Sequence, residues 1–317
     1  MRSQRHPGSG GTPASVRAWL RLWRLSALWH RYTVEGLDHI IDGGPKLIVG
    51  YHGRLLAWDL CILTTILHDR LGYLPHGVVH GAFAAGPVGR VVDELGFVTS
   101  DGPKMADAVA RGEHLLVAPG GDREACRSHR DRYRVDWGER HGYLRLAIRH
   151  RLPIVPVAAS GVDDTYIGLH NGHALGRRLA MPGRLPVWLA FGPLGLCPFS
   201  PPFPARIHQI VGEPIDLWEH GAPSADDRDT LERLHSRVTE AVQALLDRAT
   251  ATAALGRQST EHWVERAPGR KSTGSKEHRV ERAPGQRSTG SRVKGAPDQK
   301  NAARHDERYR DARVHPR

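Results

Sequence analysis

Short apolar runs and helically spaced apolar residues follow one another along most of this chain. An apolar run at 47–49 ends in Gly50-Tyr51-His52, and from 59 to 71 apolar residues recur at helical spacing until Gly72. Further apolar runs lie at 113–118 and 154–158, with helically spaced segments between them. Strands that alternate with helices predict an α/β domain with a central, largely parallel sheet and flanking helices.

Changes in this pattern divide the chain into four parts. Residues 1–15 are rich in Gly, Ser, Pro and Arg without periodicity, which predicts disorder. Residues 16–33 predict a basic amphipathic helix, and residues 34–249 hold the alternating strands and helices. Residues 250–317 predict a disordered basic tail.

The tail contains a repeat. Glu261-His262-Trp263-Val264-Glu265-Arg266-Ala267-Pro268-Gly269 returns in similar form as Glu277-His278-Arg279-Val280-Glu281-Arg282-Ala283-Pro284-Gly285, a period of 16 residues. The repeat has no apolar face, so it predicts no stacked solenoid.

The helix predicted at 16–33 combines tryptophans with arginines. Trp19, Trp23 and Trp29 stand among Arg17, Arg21, Arg24 and Arg31. This composition suits the headgroup region of an anionic membrane. The alternative is a helix that packs on the domain with its arginines in water.

A second apolar segment, 185–204, is rich in proline and contains Trp188, Phe191, Phe199 and Phe203. It could line an acyl-chain groove or touch lipid. The alternative is that it packs against the N-terminal helix.

Charge and cysteine content indicate the cellular compartment and the kinds of binding partner. The net charge is +11, of which +8 falls in residues 251–317, so the domain itself is only mildly basic. Three cysteines without Cys-x-x-Cys spacing argue against disulfides and a zinc site and for a reducing compartment. Without a run of about 18 apolar residues no spanning helix is expected. We therefore expect a cytoplasmic protein, peripheral on the inner face of the membrane.

Four sequence blocks carry a resemblance to a known family. They are a Gly36-Leu37 followed by the strand with His52 and Asp59, then Gly96-Phe97-Val98-Thr99-Ser100, then Pro119-Gly120-Gly121-Asp122-Arg123-Glu124, then Pro153-Ile154-Val155-Pro156-Val157-Ala158-Ala159-Ser160-Gly161. Over roughly residues 34–216 the chain resembles the glycerolipid acyltransferases. The resemblance implies transfer of a fatty acyl group from acyl-CoA or an acyl carrier protein to a lipid hydroxyl, without a cofactor or metal.

The resemblance also implies roles for His52 and Asp59. His52 would act as general base on the acceptor hydroxyl, and Asp59 would fix its tautomer and stabilise the imidazolium. The family has four residues between His and Asp, whereas this chain has six. In one continuous helix that spacing would separate the two by about 10 Å. Either 53–55 is loop, or Asp101, Asp122 or Glu124 orients His52.

The third block bears on the acceptor. Phosphate-using members have Glu-Gly-Thr-Arg there, whereas Gly120, Gly121, Arg123 and Glu124 look more like the Pro-Gly-Gly-x-x-Glu-Ala of enzymes that make neutral lipids. These four residues are the predicted substrate-binding residues, with Arg123 neutralised by Asp122 or Glu124. A neutral acceptor, namely mono- or diacylglycerol or a long-chain alcohol, is favoured over lysophosphatidate. The alternative is a tight turn that binds nothing.

Other functions and a metal site have less support in the sequence. His76 with His80, and His170 with His173, lack a third metal ligand, so no metal is expected. A Gly-x-Ser-x-Gly elbow, a Walker loop and a Gly-x-Gly-x-x-Gly motif are all missing. A competing hypothesis of another class is a non-catalytic protein that binds membrane or nucleic acid through its basic tail. We expect a membrane surface, a lipid acceptor and an acyl donor as partners, and not nucleic acid.

Overall fold

A computed structural model describes residues 12–79, 86–99, 102–179, 186–219 and 221–266. The helices in these ranges are α1 Ala14–Trp29, α2 Asp38–Ile41, α3 Trp58–Leu71, α4 Gly86–Glu94, α5 Pro103–Ala110, α6 Gly121–Ala125, α7 Gly142–His150, α8 His173–Arg178 and α9 Arg228–Arg266. The strands are β1 Thr33–Glu35, β2 Leu47–Gly50, β3 His76–Val79, β4 Val98–Thr99, β5 Leu115–Val117, β6 Ile154–Ser160, β7 Ile167–His170, β8 Leu189–Gly192, β9 Gly195–Leu196 and β10 His208–Val211. Short 3₁₀ turns occupy His129–Asp131 and Val162–Thr165.

Seven of these strands form the central sheet in the order β1-β10-β6-β2-β5-β3-β4. Strand β2 lies near its middle and pairs in parallel with β5 on one side and β6 on the other. All neighbours pair in parallel except β10 and β6, which are antiparallel. The predicted fold class, a largely parallel sheet with flanking helices, is confirmed.

Apolar side chains fill both sides of this sheet. Every residue of β6 is buried, as expected for a strand covered by helices on both faces. On one face a large cluster joins β2, β5 and β6 to α7 and α9, and on the other α3 packs through Leu60, Leu63 and Leu67. The central strands are therefore fixed on both sides, which holds their carboxyl ends in place.

Strands β7, β8 and β9 form a separate antiparallel sheet. Gly168 in β7 has no room for a side chain, because a Cβ atom there would lie 2.5 Å from the Arg127 carbonyl oxygen and 3.2 Å from an Arg54 guanidinium nitrogen. The small sheet thus covers the polar residues that follow β2 and α6.

Helix α1 packs on the domain through Val16, Leu20 and Trp23. The Trp23 ring lies 5.5 Å from the Trp58 ring, and Trp19 stacks edge-on against Phe97. Two of the three tryptophans that suggested a membrane helix therefore contribute to packing, while Trp29 is half exposed. At the far end of the helix, Trp29 Nε1 donates to the Pro202 carbonyl at 3.2 Å, so the 185–204 segment does contact α1.

Both predicted ends of the domain differ from the structure. The first helix begins at Ala14 rather than residue 16, and the last helix continues to Arg266 rather than ending at Ala249. Residues 250–266 hold no proline, and the first that follows is Pro268, so nothing in this stretch forces the helix to end. The rest of the predicted disordered ends, 1–11 and 267–317 with most of the repeat, lies outside the described residues. None of the described helices is long and apolar enough to cross a membrane.

Candidate active site

His52 lies just beyond the carboxyl end of β2. Tyr51 continues the strand pairing, since its N–H donates to the Val157 carbonyl at 3.2 Å. The next backbone N–H, that of His52, donates to Glu124 Oε2 at 2.9 Å. Glu124 belongs to α6, which follows β5, the neighbour of β2. Adjacent parallel strands thereby bring the first and third sequence blocks together.

The environment of His52 favours a neutral imidazole. Burial lowers its pKa to about 4, and Arg127 acts in the same direction, while nearby backbone groups of Arg54 and His52 and the charge of Asp122 oppose the shift. Nδ1 is buried and accepts or donates no hydrogen bond to any described residue. The ring is therefore neutral at pH 7, with a nitrogen lone pair that can take a proton, although a pKa this low makes the imidazole a weak base.

Asp59 lies in the first turn of α3. Residues 54–57 form a turn closed by a hydrogen bond from Ala57 N–H to the Arg54 carbonyl at 3.1 Å, and the helix begins only at Trp58. The loop that the long His-to-Asp spacing requires is therefore present. The Asp59 side chain is fully buried, and neither carboxylate oxygen has a hydrogen-bond partner among the described residues, so it does not bond to His52 here. Burial raises the pKa of its carboxyl well above the usual range.

The alternative orienting carboxylates do not contact the His52 ring either. Asp122 pairs with Arg140 at 2.8 Å. Glu124 receives the backbone N–H of His52 and not its ring. Asp101, like Ser100 of the second block and His80, lies outside the described residues.

Glu124 is the buried centre of the third block. Its Oε1 accepts the Asp136 N–H at 2.8 Å and lies 3.4 Å from an Arg127 guanidinium nitrogen. Burial raises its pKa to about 7, against the opposing effects of Arg127 and the two backbone donors. A Cβ atom on Gly120 would lie 2.1 Å from the Glu124 carboxyl carbon. Gly120 therefore makes room for Glu124, which anchors the His52 backbone.

The remaining predicted residues of this block face outward. Arg123 donates to Asp136 Oδ1 at 2.8 and 3.2 Å, so it is neutralised by Asp136 rather than by Asp122 or Glu124. Gly121 has a positive φ of 49°, and Arg140 crosses this turn to reach the Gly120 carbonyl at 2.7 Å.

Next to this turn is a polar cavity of about 400 Å³. Its lining includes Arg123, Arg127, Arg134, Asp136 and Asn171. Among the described residues, no group of three or more His, Cys, Asp or Glu side chains is placed to hold a metal ion.

A buried network that the sequence analysis missed supports the His52 loop. Arg54 is fully buried and donates to the Asp163 carbonyl at 2.7 and 2.9 Å and to the Arg127 carbonyl at 2.8 Å. Its Nε lies 3.7 Å from Asp163 Oδ1. Asp163 Oδ2 accepts the Tyr51 hydroxyl and, at 2.8 Å, the Tyr133 N–H. Arg54 thus ties the His52 loop to the segments after β6 and α6.

Only part of this network left a signal in the sequence. Asp163 follows a buried strand closely, which is a typical position for a functional carboxylate. Arg127, whose guanidinium lies 4.6 Å from the Tyr51 ring centroid, sits in a basic stretch with nothing to distinguish it from its neighbours.

Comparison with known proteins places the chain among lipid acyltransferases. Residues 103–260, about half of the chain, match the family model described as Diacylglycerol acyltransferase. A protein of Bos taurus named "DGAT1/2-independent enzyme synthesizing storage lipids" is 27% identical over 223 residues, which cover 70% of this chain and 61% of that protein. An uncharacterized protein of Mycobacterium tuberculosis is 29% identical over 246 residues, which cover 75% and 66%.

A crystal structure of the 1-acyl-sn-glycerophosphate (LPA) acyltransferase PlsC from Thermotoga maritima aligns with 74% of this chain and 80% of that one, with 16% identity and a TM-score of 0.45. The chain spans less than two thirds of the length of the two sequence relatives. The sequence matches confirm the resemblance to glycerolipid acyltransferases and its neutral-lipid branch. They agree with the predicted enzyme class, an acyltransferase.

Proposed function

We propose that this chain, of the diacylglycerol acyltransferase type by sequence, moves a fatty acyl group from a CoA or carrier-protein thioester to the hydroxyl of a neutral lipid. The observation that carries the proposal is His52, which follows the central strand with a neutral imidazole and a free Nδ1. Its backbone is held by Glu124 from the family's third block.

In the proposed reaction His52 takes the proton of the acceptor hydroxyl while the oxygen attacks the thioester carbonyl. The tetrahedral intermediate then collapses, the carbon–sulfur bond breaks, and the imidazolium returns the proton to the departing thiolate. The products are an ester and a free thiol, and the histidine is regenerated. General-base help of this kind is typically worth about 10²- to 10⁴-fold in rate.

Asp59 would assist as a positioning residue. It and His52 Nδ1 are both buried and lack other hydrogen-bond partners, so a side-chain rotation that joins them would satisfy both. The imidazolium formed in the reaction would then favour the ionised form of Asp59 and be stabilised by it, against the burial that raises the Asp59 pKa. We expect Asp59→Asn to lower kcat strongly and to leave KM for the acceptor nearly unchanged.

Three arginines in and near the third block are already paired, which favours a neutral acceptor. Arg123 is occupied by Asp136, Arg140 by Asp122 and two carbonyls, and Arg127 by Glu124 and backbone oxygens. A phosphate acceptor held by Arg123, Arg127 or Arg140 would have to displace one of these partners. Mono- or diacylglycerol, or a long-chain alcohol, needs no cation.

The donor is proposed to carry its phosphate groups toward the polar cavity. Arg134 lines this cavity and has an exposed side chain. CoA and the prosthetic group of a carrier protein both bear phosphate, which arginine binds well. We expect Arg134→Ala to raise KM for acyl-CoA and to leave KM for acyl-pantetheine, which lacks phosphate, unchanged. Arg149→Ala, which removes an exposed arginine outside the cavity lining, is the matched control.

The location proposed is the cytoplasmic face of a membrane, where the protein would be peripheral. The support comes from α1, whose Leu25 and Leu28 are 66% and 76% exposed beside its arginines.

Thiol release by the purified protein tests the function, with acyl-CoA as donor and a panel of acceptors. Diacylglycerol, monoacylglycerol, hexadecanol and lysophosphatidate should be compared in mixed micelles. We expect turnover with a neutral acceptor and a loss of at least about 100-fold in His52→Ala. His150→Ala on α7 is the control for a histidine outside the site.

Preference for lysophosphatidate would replace the neutral acceptor by the alternative 1-acylglycerol-3-phosphate acyltransferase. Equal thiol release by His52→Ala would contradict the proposed base. Absence of transfer with every acceptor, together with binding that depends on the basic tail, would favour the non-catalytic hypothesis.

A further inference from the structure

The small sheet turns its apolar side outward. Ile167, Phe191 and Leu196 lie directly opposite one another on β7, β8 and β9, and they are 43%, 40% and 47% exposed. Leu169, on the same face of β7, is 53% exposed. An antiparallel sheet with one covered face normally has polar residues on the other. Here the outer face is apolar.

The turns beside this sheet extend the apolar face. Leu194 in the β8–β9 turn is 80% exposed, and Phe199 just after β9 is 92% exposed. We call the outer face of the small sheet with these two residues the apolar platform. Single exposed apolar residues are common, whereas a contiguous set of this kind marks a binding surface.

Two further exposed apolar groups adjoin the platform. Helix α1 carries Leu22, Leu25, Leu28 and Trp29 outward, and Trp29 bonds to the Pro202 carbonyl shortly after the platform. These residues form a stripe away from the buried Val16–Leu20–Trp23 side of the same helix.

The other adjoining group lies in the His52 loop itself. Leu55 and Leu56 are 47% and 52% exposed. They stand between Arg54, which lies over the Trp188 ring at 5.6 Å, and Trp58, whose ring contacts that of Tyr166 at 6.1 Å. Tyr166 and Trp188 flank the strands of the small sheet, so the His52 loop packs against this sheet, with Arg54 at its covered face beside Gly168.

The charges around these groups identify the partner. Residues 12–34 contain four arginines and no Asp or Glu, and the described residues of 165–212 contain Arg177, Arg178 and Arg206 and no Asp or Glu. Of these arginines, Arg24 pairs with Asp69 at 2.5 Å. A second copy of this chain would bring like charges together. An anionic bilayer would meet the apolar residues with lipid chains and the arginines with headgroups.

We propose that the apolar platform seats on an anionic membrane together with the outer stripe of α1, so that Leu55 and Leu56 bring the His52 loop to the lipid. The orientation of the His52 loop toward lipid rests on the proposed function. Membrane binding itself does not, because it needs no turnover. A lipid hydroxyl could then reach His52 without leaving the bilayer interface.

Hydrogen exchange of the full chain, with and without vesicles of phosphatidylcholine containing about 30% phosphatidylglycerol, tests the surface directly. We expect exchange to slow in peptides from 190–200 and from 20–29, and to stay unchanged in α7. Unchanged exchange in 190–200 on fully bound protein would overturn the proposal, because binding would then run through another part of the chain. Slowing of 190–200 on raising protein concentration alone would also overturn it, in favour of self-association.

A matched pair of variants gives the second measurement. Leu194→Ser with Phe199→Ser should weaken partitioning into these vesicles by about 10-fold or more, since two large side chains leave the lipid. Val91→Ser, which replaces an exposed apolar residue on α4, should bind as the wild type does. Equal binding by the double variant would contradict the proposal. His52→Ala should also bind normally, so a failed acyl transfer and a failed docking surface are told apart.

Discussion

Glu124 is a carboxyl group with no exposed surface, held between two backbone donors and Arg127. Burial raises its pKa to about 7, above the ordinary value of 4.5. The folded protein therefore holds this proton more tightly than the unfolded chain does. Its contribution to stability is complete below pH 4.5 and is lost as the pH rises through about 7.

Urea unfolding at pH 5 and pH 8 should show this contribution. In the wild type we expect the free energy of unfolding to fall with pH by an amount on the order of 3 kcal/mol from this group. Glu124→Gln cannot ionise at this position, so its free energy of unfolding should not carry this pH dependence. Relative to the wild type, the variant should therefore be more stable at pH 8 than at pH 5. Asp136→Asn, an exposed carboxylate beside it, is the control. The same pH dependence in wild type and Glu124→Gln would contradict the assignment.

Arg54 and Asp163 form a buried ion pair, and each residue also makes hydrogen bonds to neighbouring groups. Arg54→Met would leave Asp163 without its cation and the Asp163 carbonyl without a donor, which we expect to cost about 3–5 kcal/mol. Asp163→Asn should be similarly destabilising. A double variant should lose less than the two single variants added together, because the uncompensated charge is gone.

Urea unfolding of the wild type, the two single variants and the double variant at pH 7 measures this coupling. Arg54→Lys keeps the charge without the planar fork, so it should recover only part of the loss. Additive losses in the double variant would show that the two side chains act independently.

Helix α3 packs closely against strand β2 at Gly50. A Cβ atom there would lie 2.6 Å from a Leu60 methyl carbon and 3.1 Å from a Val157 methyl carbon. We expect Gly50→Ala to cost about 1–3 kcal/mol by overpacking, with Leu60→Ala alone costing about 2–5 kcal/mol through a cavity. In the Leu60→Ala background the added methyl group should cost little or stabilise. An equal cost of Gly50→Ala in both backgrounds, measured by urea unfolding, would rule out this contact.

The elements were more predictable from sequence than the contacts between them. Apolar runs and glycines placed β2, β6 and α3 within a few residues, because burial imposes a local pattern. His52 at the end of β2 followed from the same pattern. The helix end at Arg266 did not, since the regular apolar spacing of α9 that the sequence shows fades after Ala249 while its backbone continues.

Contacts distant in sequence had no such local pattern. Arg54 meets Asp163 across 109 residues, and the His52 N–H meets Glu124 across 72. Periodicity describes which side of an element is buried, and not which polar group lies opposite. The family blocks brought Glu124 to notice, but its turn toward the His52 backbone depends on the missing Cβ of Gly120.

On the scale of the whole molecule, positive charge and apolar packing separate along the chain. The buried residues of α9 run from Leu231 to Ala249, and residues 251–317 hold +8 of the net +11. A chain ending at Arg266 keeps all of α9 and lacks only residues 267–317, so it should keep its free energy of unfolding within about 0.5 kcal/mol. It should also keep acyl transfer in micelles, because no residue assigned to the site lies beyond 249.

Binding to anionic vesicles should respond differently to this truncation. Each tail cation near the surface can add about 1 kcal/mol to binding at low salt, so affinity should fall and the remaining affinity should depend less on salt. Slowed exchange in 190–200 should persist once the truncated chain is bound. If truncation abolished both vesicle binding and acyl transfer, both activities would depend on the tail. The folded domain without the tail would then have neither activity.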